Sequence, residues 1–463
     1  MHELSSLSLW HSTMSAEDWG PGRPALGGDL DVDVAIVGGG YTGLWTAYYL
    51  LQRDPSLRVA LLEAEVIGFG ASGRNGGWCS ALLPMGVDAI AAASSHDAAA
   101  ALQRVMHETV GEVGRVVAAE GIDCHFAHGG YLHLARNPVQ WARVQAHVAH
   151  LHAYGFTDDD YRLLGADEAR ARCGATGVLG AAYTPHCAAI HPARLARGLA
   201  RVVERLGATI YEHTRVEEIQ PNRVRTRMGT VRAGTVVRAT EAFSPGLPGY
   251  RRSVAPIYSL MIATEPLPDS FWAEAGLADR ATFNDDRHMI IYGQRTADNR
   301  FAFGGRGAWY HWGSRVKPEF DRNEKVHHLI HETLRELFPA IGDAAVTHRW
   351  GGAVAAPRDW WCSVTHDRAT GMAAAGGYVG DGVGTTNLSG RTLADLITGQ
   401  QTELTRLPWV GHRSRNWEPE PLRWIGINTM VQLPTGSDRH EAKHGTPSKW
   451  RDAIVNRITG GGH

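Results

Sequence analysis

Hydrophobic and polar positions alternate along the chain in two periods. Asp31 to Val37 end in the unbroken apolar run Val34 to Val37, which predicts a buried parallel strand. After a glycine break, Leu44, Ala47, Tyr48 and Leu51 recur at i, i+3, i+4 and i+7, the stripe of an amphipathic helix. The run RVALLEAE then predicts a second strand that ends on Glu63. Further on, Pro192 opens a basic helix ending near Leu206, followed by a strand across ATIYEHTRVEEI. RHMIIYGQRT and RFAFGGRG have strand character, and at Gly376 to Gly399 a glycine-rich loop again runs into a helix.

The break after the first strand reads Gly38, Gly39, Gly40, Tyr41, Thr42, Gly43, a match to G-x-G-x-x-G between strand and helix. Gly38 suits the tight turn, Gly40 lets backbone approach a pyrophosphate, and Gly43 lets helix and strand pack closely. The helix N-terminus adds N–H groups and partial positive charge. Glu63 is placed to accept hydrogen bonds from ribose hydroxyls. Strand, loop, helix, strand and acid in this order predict dinucleotide binding, leaving NAD and FAD both open. The next segment, EVIGFGASGRNGGWCSALL, sets Gly68, Gly70, Gly73, Gly76 and Gly77 around Ser72, Arg74 and Asn75. A second loop of exposed backbone here suits a ligand that continues past its phosphates.

Composition narrows the class. The 463 residues are 43% hydrophobic and 20% charged with formal net charge -2, an ordinary globular balance that points neither to nucleic acid nor to an anionic membrane. No apolar run approaches the roughly 20 residues of a membrane span. MHELSSLSLWHSTMS lacks the build of a secretory signal. Five widely spaced cysteines, Cys79, Cys124, Cys173, Cys187 and Cys362, fit reduced thiols in a cytoplasm better than disulfides or zinc. His147, His150 and His152 lie close together, but no neighbouring carboxylate completes a metal site, and no metal is expected.

The segments DVAIVGGGYTGLWTAYYL, LLEAEVIGFGASGRNGG, IHPARLARGLARVVERLGATIYEHTRVEEI and GGYVGDGVGTTNLSGRTLADLITG resemble, in order, the D-amino-acid oxidase superfamily of FAD enzymes, with GASGRNGG nearest its γ-glutamylputrescine oxidase-like branch. The resemblance implies an α/β plus α+β architecture, a Rossmann-type FAD-binding domain interleaved with a mixed-sheet substrate domain. The FAD-binding domain would come from 30–80, 190–250 and 350–400, the substrate domain from 81–189 and 251–349, and 401–463 would be a C-terminal tail. Non-covalent FAD would contact Gly38, Gly40, Tyr41, Thr42, Gly43, Glu63, Ala64, Gly70, Ala71, Ser72, Arg74, Asn75, Gly76, Gly77 and a backbone group at Val216. The second glycine loop and helix start, Gly380, Gly382, Val383, Gly384 and Thr385, would face the other end of the same molecule. That explains why two such loops stand some 340 residues apart.

The implied activity is oxidation of a C–N bond to an imine, with O₂ taking the electrons as H₂O₂. The amine must be neutral to react. A primary amine near pKa 10.4 is protonated at pH 7 by roughly 4–5 kcal/mol, which an apolar aromatic pocket offsets by desolvation. Trp78, Tyr258, His288, Tyr292, Trp350 and Trp361 are the candidate lining residues. Three departures from the family pattern stand out in RWGGAVAAPRDWW and its surroundings. Val354 occupies the place of an arginine that pairs with a substrate carboxylate, unless Arg358 or Arg306 substitutes for it. Gly352 stands where some members attach FAD through cysteine. Some members also use a lysine near the flavin to activate O₂, and here Lys317, Lys325, Lys443 and Lys449 all avoid the strand RFAFGGRG. A small-molecule amine and O₂ are the expected partners. A flavin dehydrogenase feeding a quinone or carrier protein, a non-catalytic FAD module and an NAD-only dehydrogenase are the alternatives.

Overall fold

The computed structural model describes residues 2–305, 307–451 and 453–454. Leu30–Val37 is the centre of the first sheet, in parallel pairing with Thr230–Arg238 on one side and Val59–Leu62 on the other. Thr209–Tyr211 extends the sheet beyond Val59–Leu62, also in parallel. On the opposite edge Met372–Gly376 runs parallel to Thr230–Arg238, and Ser363–Asp367 closes the edge antiparallel. Val34 to Val37 are buried on both faces, which is why the sequence shows a continuous apolar run and no alternation.

The helix Tyr41–Arg53 departs from the one-sided stripe. Every residue from Tyr41 to Leu51 is buried. The cause is a second helix, Gly382–Thr398, laid against it so closely that a Cβ at Gly390 would stand 2.7 Å from the backbone of Trp45. The strand expected over ATIYEHTRVEEI is broken in two, Thr209–Tyr211 and Val216–Gln220. Between them His213 takes a positive φ of 51°, and the turn carries the buried Glu212 carboxylate onto Arg197 at 2.8 Å and Arg23 at 3.3 Å.

A second sheet runs in the order Val346–Ala356, Ala255–Thr264, Phe301–Gly305, Ile291–Arg295, Thr282–Asp285, Tyr131–Ala135, Gly180–Thr184, Arg162–Gly165. Its pairings are antiparallel except Thr282–Asp285 with Tyr131–Ala135. Val346–Ala356 pairs along its whole length with Ala255–Thr264, so this sheet continues past residue 349 and the first sheet resumes at Ser363. Each sheet has its own apolar core.

Segments near both ends of the described residues pack on this frame. Leu9, Trp10, Met14 and Trp19 join Ala193, Met261 and Trp350 in a separate cluster. In the tail, Trp417 donates Nε1–H to the carbonyl of Ala356, and Asn428 exchanges hydrogen bonds with the backbone of Tyr310. The helix Leu422–His444 presents Asp438 to the N–H groups of His288 and Met289.

Candidate active site and cofactor cavity

A cavity of about 530 Å³ runs along the C-terminal ends of the parallel strands of the first sheet. Its wall begins at Thr214 to Glu217, passes Gly38 to Thr42, Leu62 to Glu65 and Phe69 to Ser72, and ends at Val354, Tyr378 to Gly380, Gly382 and Val383. Open α/β sheets bind ligands at this end of their strands.

Glycine is required where the loops meet. Gly38 has φ of 116°, and a Cβ there would lie 2.4 Å from the Ala239 carbonyl oxygen. A Cβ at Gly43 would lie 2.1 Å from the Gly38 carbonyl oxygen, so Gly43 sets the helix–strand distance from outside the cavity wall. At Gly40 the added atom would meet Ser72 Oγ at 2.9 Å; its absence lets the two N-terminal loops close together. Tyr41 N–H donates to Ser72 Oγ at 2.9 Å, and the Tyr41 hydroxyl donates to the Pro192 carbonyl. The loops remote in sequence are tied directly: the Thr42 and Tyr378 hydroxyls lie 3.1 Å apart, and Tyr378 donates onward to Ser389.

Two carboxylates shape the cavity. Glu63 accepts from Gly39 N–H at 2.7 Å and Glu65 N–H at 2.9 Å, with Ala64 beside it in the wall. Glu241 was not anticipated. It accepts from Gly377, Tyr378 and Ala355 N–H groups, joining the second glycine loop to the strand that carries Val354. Its position just past the parallel strand Thr230–Arg238 is the signal that marks it, since ligands collect at such strand ends. Burial pushes both carboxyls up to about 7. Each therefore binds its proton more tightly folded than unfolded. Its contribution to stability is most favourable below about 4.5 and is lost as pH rises through about 7.

The remaining expected cofactor contacts divide. Gly70, Ala71, Ser72, Asn75, Val216, Gly380, Gly382 and Val383 line the cavity. The first residues of the helix Gly382–Thr398, Gly382 and Val383, thus stand at the cavity with their helix N-terminus. Arg74, Gly76, Gly77, Gly384 and Thr385 lie outside the wall. Arg74 is held by Asp321 at 2.5 Å and by the Phe69 carbonyl; Gly76 accommodates the Tyr292 ring and Gly77 sits on Gln294. Gly384 packs on the Ser80 carbonyl, and the Thr385 hydroxyl donates to the Asp381 carbonyl. The part of the wall made by Arg215, Glu217, Arg225, Phe243 and Leu247 has no motif to announce it.

None of the six aromatic candidates lines this cavity. Trp78 and Tyr292 are brought together, 6.2 Å apart and edge to face, with Tyr131 5.3 Å from Trp78. Tyr292 shares a 2.7 Å hydrogen bond with Ser259. The other four are placed elsewhere. Tyr258 is buried in the second core, its hydroxyl accepting from Lys317 N–H. Trp350 packs behind Arg74 against Trp10, and Trp361 stacks on His412. His288 is bound to Glu441 at 2.8 Å by the tail helix.

Val354 lies in the cavity wall. Arg358 does not substitute for an arginine there: it pairs with Glu418 of the tail at 3.0 Å, its guanidinium over the Trp417 ring. Arg306 lies outside the described residues. Gly352 faces the stem of Arg74. Cys362 is buried against Met85, its thiol pushed up by burial, and all five cysteines are free. All four lysines are exposed.

Residues 33–396 match the family described as DAO, FAD dependent oxidoreductase. The chain belongs to this family of FAD-dependent oxidoreductases. It is 31% identical over 407 residues to gamma-glutamylputrescine oxidoreductase of Escherichia coli, spanning 84% of this chain and 90% of the relative. It is 26% identical over 390 residues to glycine oxidase of Geobacillus kaustophilus, spanning 81% and 96%. The solved glycine oxidase of that organism shares the fold, with TM-score 0.69 and 22% identity over 84% of this chain and 100% of the other. The cavity fits the family's cofactor, with bare backbone at two helix starts, a carboxylate at a strand end between them, and loops whose close approach any Cβ would prevent. Among the described residues no helix is long and apolar enough to cross a membrane.

Proposed function

We propose that this enzyme oxidises the C–N bond of an extended amine to the imine, with O₂ as electron acceptor giving H₂O₂ and with FAD held non-covalently. The observation that carries the substrate assignment is Val354 in the cavity wall, with Arg358 tied to Glu418. A carboxylate close to the reacting carbon would need a charge-assisted partner to offset its desolvation, and the described wall there offers Val354 and the Glu241 carboxyl but no cation. The similarity to a gamma-glutamylputrescine oxidoreductase supports the same substrate class. Bound FAD supplies the two-electron acceptor; the protein binds, orients and excludes water. Trp78, Tyr131 and Tyr292, packed behind Gly76 and next to the cavity-lining Asn75, form the aromatic surface that disfavours the protonated amine. Non-covalent attachment is supported by Gly352 and by the burial of Cys362.

The test is anaerobic bleaching of the flavin by a panel of amines. Extended amines are expected to reduce it faster than alanine, glycine or sarcosine, and Arg358→Ala is expected to leave that preference unchanged. If glycine or a D-amino acid reduces the flavin best and Arg358→Ala abolishes the reduction, the substrate assignment fails. Acid precipitation should leave a colourless pellet. The exposure of all four lysines favours a second reading, a dehydrogenase that passes electrons to a quinone or carrier protein. Stoichiometric H₂O₂ in air separates the two.

A further inference from the structure

Among the described residues one cluster outside the cofactor cavity gathers ligands of the kind transition metals use. His107 on the helix His96–Ala119, Asp160 in the turn after the helix Pro138–Ala153, and His186 in the turn after the strand Gly180–Thr184 place one ligand atom each within 4.8 Å of one another. His186 Nε2 lies 3.0 Å and His107 Nδ1 lies 3.4 Å from the same carboxylate oxygen, Asp160 Oδ1. Ligands at 2.0–2.1 Å around a tetrahedral zinc ion lie roughly 3.3 Å from each other, so both spacings match edges of such a shell. The other oxygen, Oδ2, is occupied by Thr157 N–H, which fixes the carboxylate with Oδ1 toward the rings.

The surroundings resemble the outer shell of a metal site. His107 Nε2 is 2.7 Å from the Tyr161 hydroxyl, and Gln103 bridges that hydroxyl to the Ala81 carbonyl. Metal-bound histidines are held in this way through their second nitrogen. The His107 and His186 rings lie face to face at 3.7 Å, so one ring must turn to bring both in-plane lone pairs onto a single ion. A small cavity of about 40 Å³, lined by His186, Tyr161, His133 and His147, adjoins the cluster and has room for a water as a further ligand.

We propose that His107, Asp160 and His186 form a binding site for a divalent transition metal of the zinc type, with water from the adjoining cavity completing the shell. Two imidazoles and a carboxylate are a donor set for zinc and not for calcium or magnesium. The site stands apart from the cofactor cavity and does not depend on the substrate proposed above.

The experiment uses tag-free holoenzyme equilibrated with zinc sulfate, passed through gel filtration and analysed for metal, with titration calorimetry for affinity and X-ray absorption for the ligand shell. One zinc per chain is expected, in a shell of nitrogen and oxygen without sulfur. His186→Gln and Asp160→Asn, near-isosteric changes that keep hydrogen-bonding capacity, are each expected to remove it while FAD content stays at the wild-type level. Tyr161→Phe should weaken affinity roughly 10- to 100-fold. If one variant fails to fold, the other decides. Wild-type protein that retains no zinc shows the cluster to be a hydrogen-bonded triad only and overturns the proposal. Zinc retained with unchanged affinity in both ligand variants overturns it too, and places the metal elsewhere, for example on the tail pair His440 and His444.

Discussion

Gly43→Ala is expected to yield protein purified without flavin. The added methyl would stand 2.1 Å from the Gly38 carbonyl oxygen and 3.1 Å from Ile36 Cγ2. The nearer obstacle is backbone, so no rotamer relieves it, and the helix Tyr41–Arg53 must move off the strand Leu30–Val37. That helix cannot move alone, because Gly390 of Gly382–Thr398 is packed on Trp45 behind it. Both glycine loops of the cofactor cavity sit on these two helices, so the strain falls on the ligand site. Overpacking costs about 1–3 kcal/mol where side chains can yield. Against backbone on both sides the upper figure is the floor, which is roughly 150-fold in FAD affinity. Gly111→Ala is the control: Gly111 is exposed on the helix His96–Ala119 with nothing near its Cβ position, and alanine there should stabilise by about 0.5–1 kcal/mol with FAD affinity unchanged. Wild-type FAD affinity in Gly43→Ala would show that the helix–strand contact does not govern the cavity.

The same residues mark how far the sequence could be read. The first strand, loop and helix were legible because each local signal agrees with the tertiary role: an apolar run for a two-sided strand, glycines where backbone meets backbone, an acid at a strand end. The second loop was legible because it repeats that pattern. Total burial of Tyr41 to Leu51 was not, since it depends on a helix some 340 residues away in the chain. Glu241 was missed for a related reason. Its partners, Ala355, Gly377 and Tyr378, come from two distant segments, and no spacing near Glu241 announces them.

Four of the six aromatic candidates are placed elsewhere for a different reason. Tryptophan and tyrosine are as useful in a core as beside a ligand, and composition does not separate the two. Trp350 and Trp361 are taken by Trp10 and His412, residues of the terminal segments, and His288 by Glu441 of the tail. Residues 33–396 carry the family match, so the segments that occupy these side chains lie outside the region from which the expectation was drawn. Arg358 makes the point with charge. Four residues from Val354 it looked able to reach the cavity, and Glu418 on the tail holds it away.

Glu63→Ala should weaken FAD binding roughly 10- to 150-fold, because hydrogen bonds to a charged acceptor contribute about 1.5–3 kcal/mol. The carboxylate is fixed by Gly39 and Glu65 N–H groups, one on each oxygen, in the wall between the first glycine loop and Thr214. Its preference for the proton adds a pH signature. With the carboxyl pushed up to about 7, the ligand-free protein is increasingly protonated there as pH falls below 7. A protonated carboxyl turns one acceptor oxygen into a donor, so ribose hydroxyls bind best to the ionised form. Affinity in the wild-type protein should then fall as pH drops from about 7 toward 5, by at most tenfold per unit. Glu241 is raised to about 7 as well and faces the same cavity, so the wild-type profile alone does not assign the effect. The comparison with Glu63→Ala does: its FAD affinity should be both weaker at pH 8 and flatter between pH 7 and 5. Equal affinity in the two proteins at pH 8 would move the ribose contact to another residue. A variant that is weaker but keeps the full wild-type slope would assign the titration to Glu241, whose protonation would loosen Ala355, Gly377 and Tyr378 from the far end of the cavity.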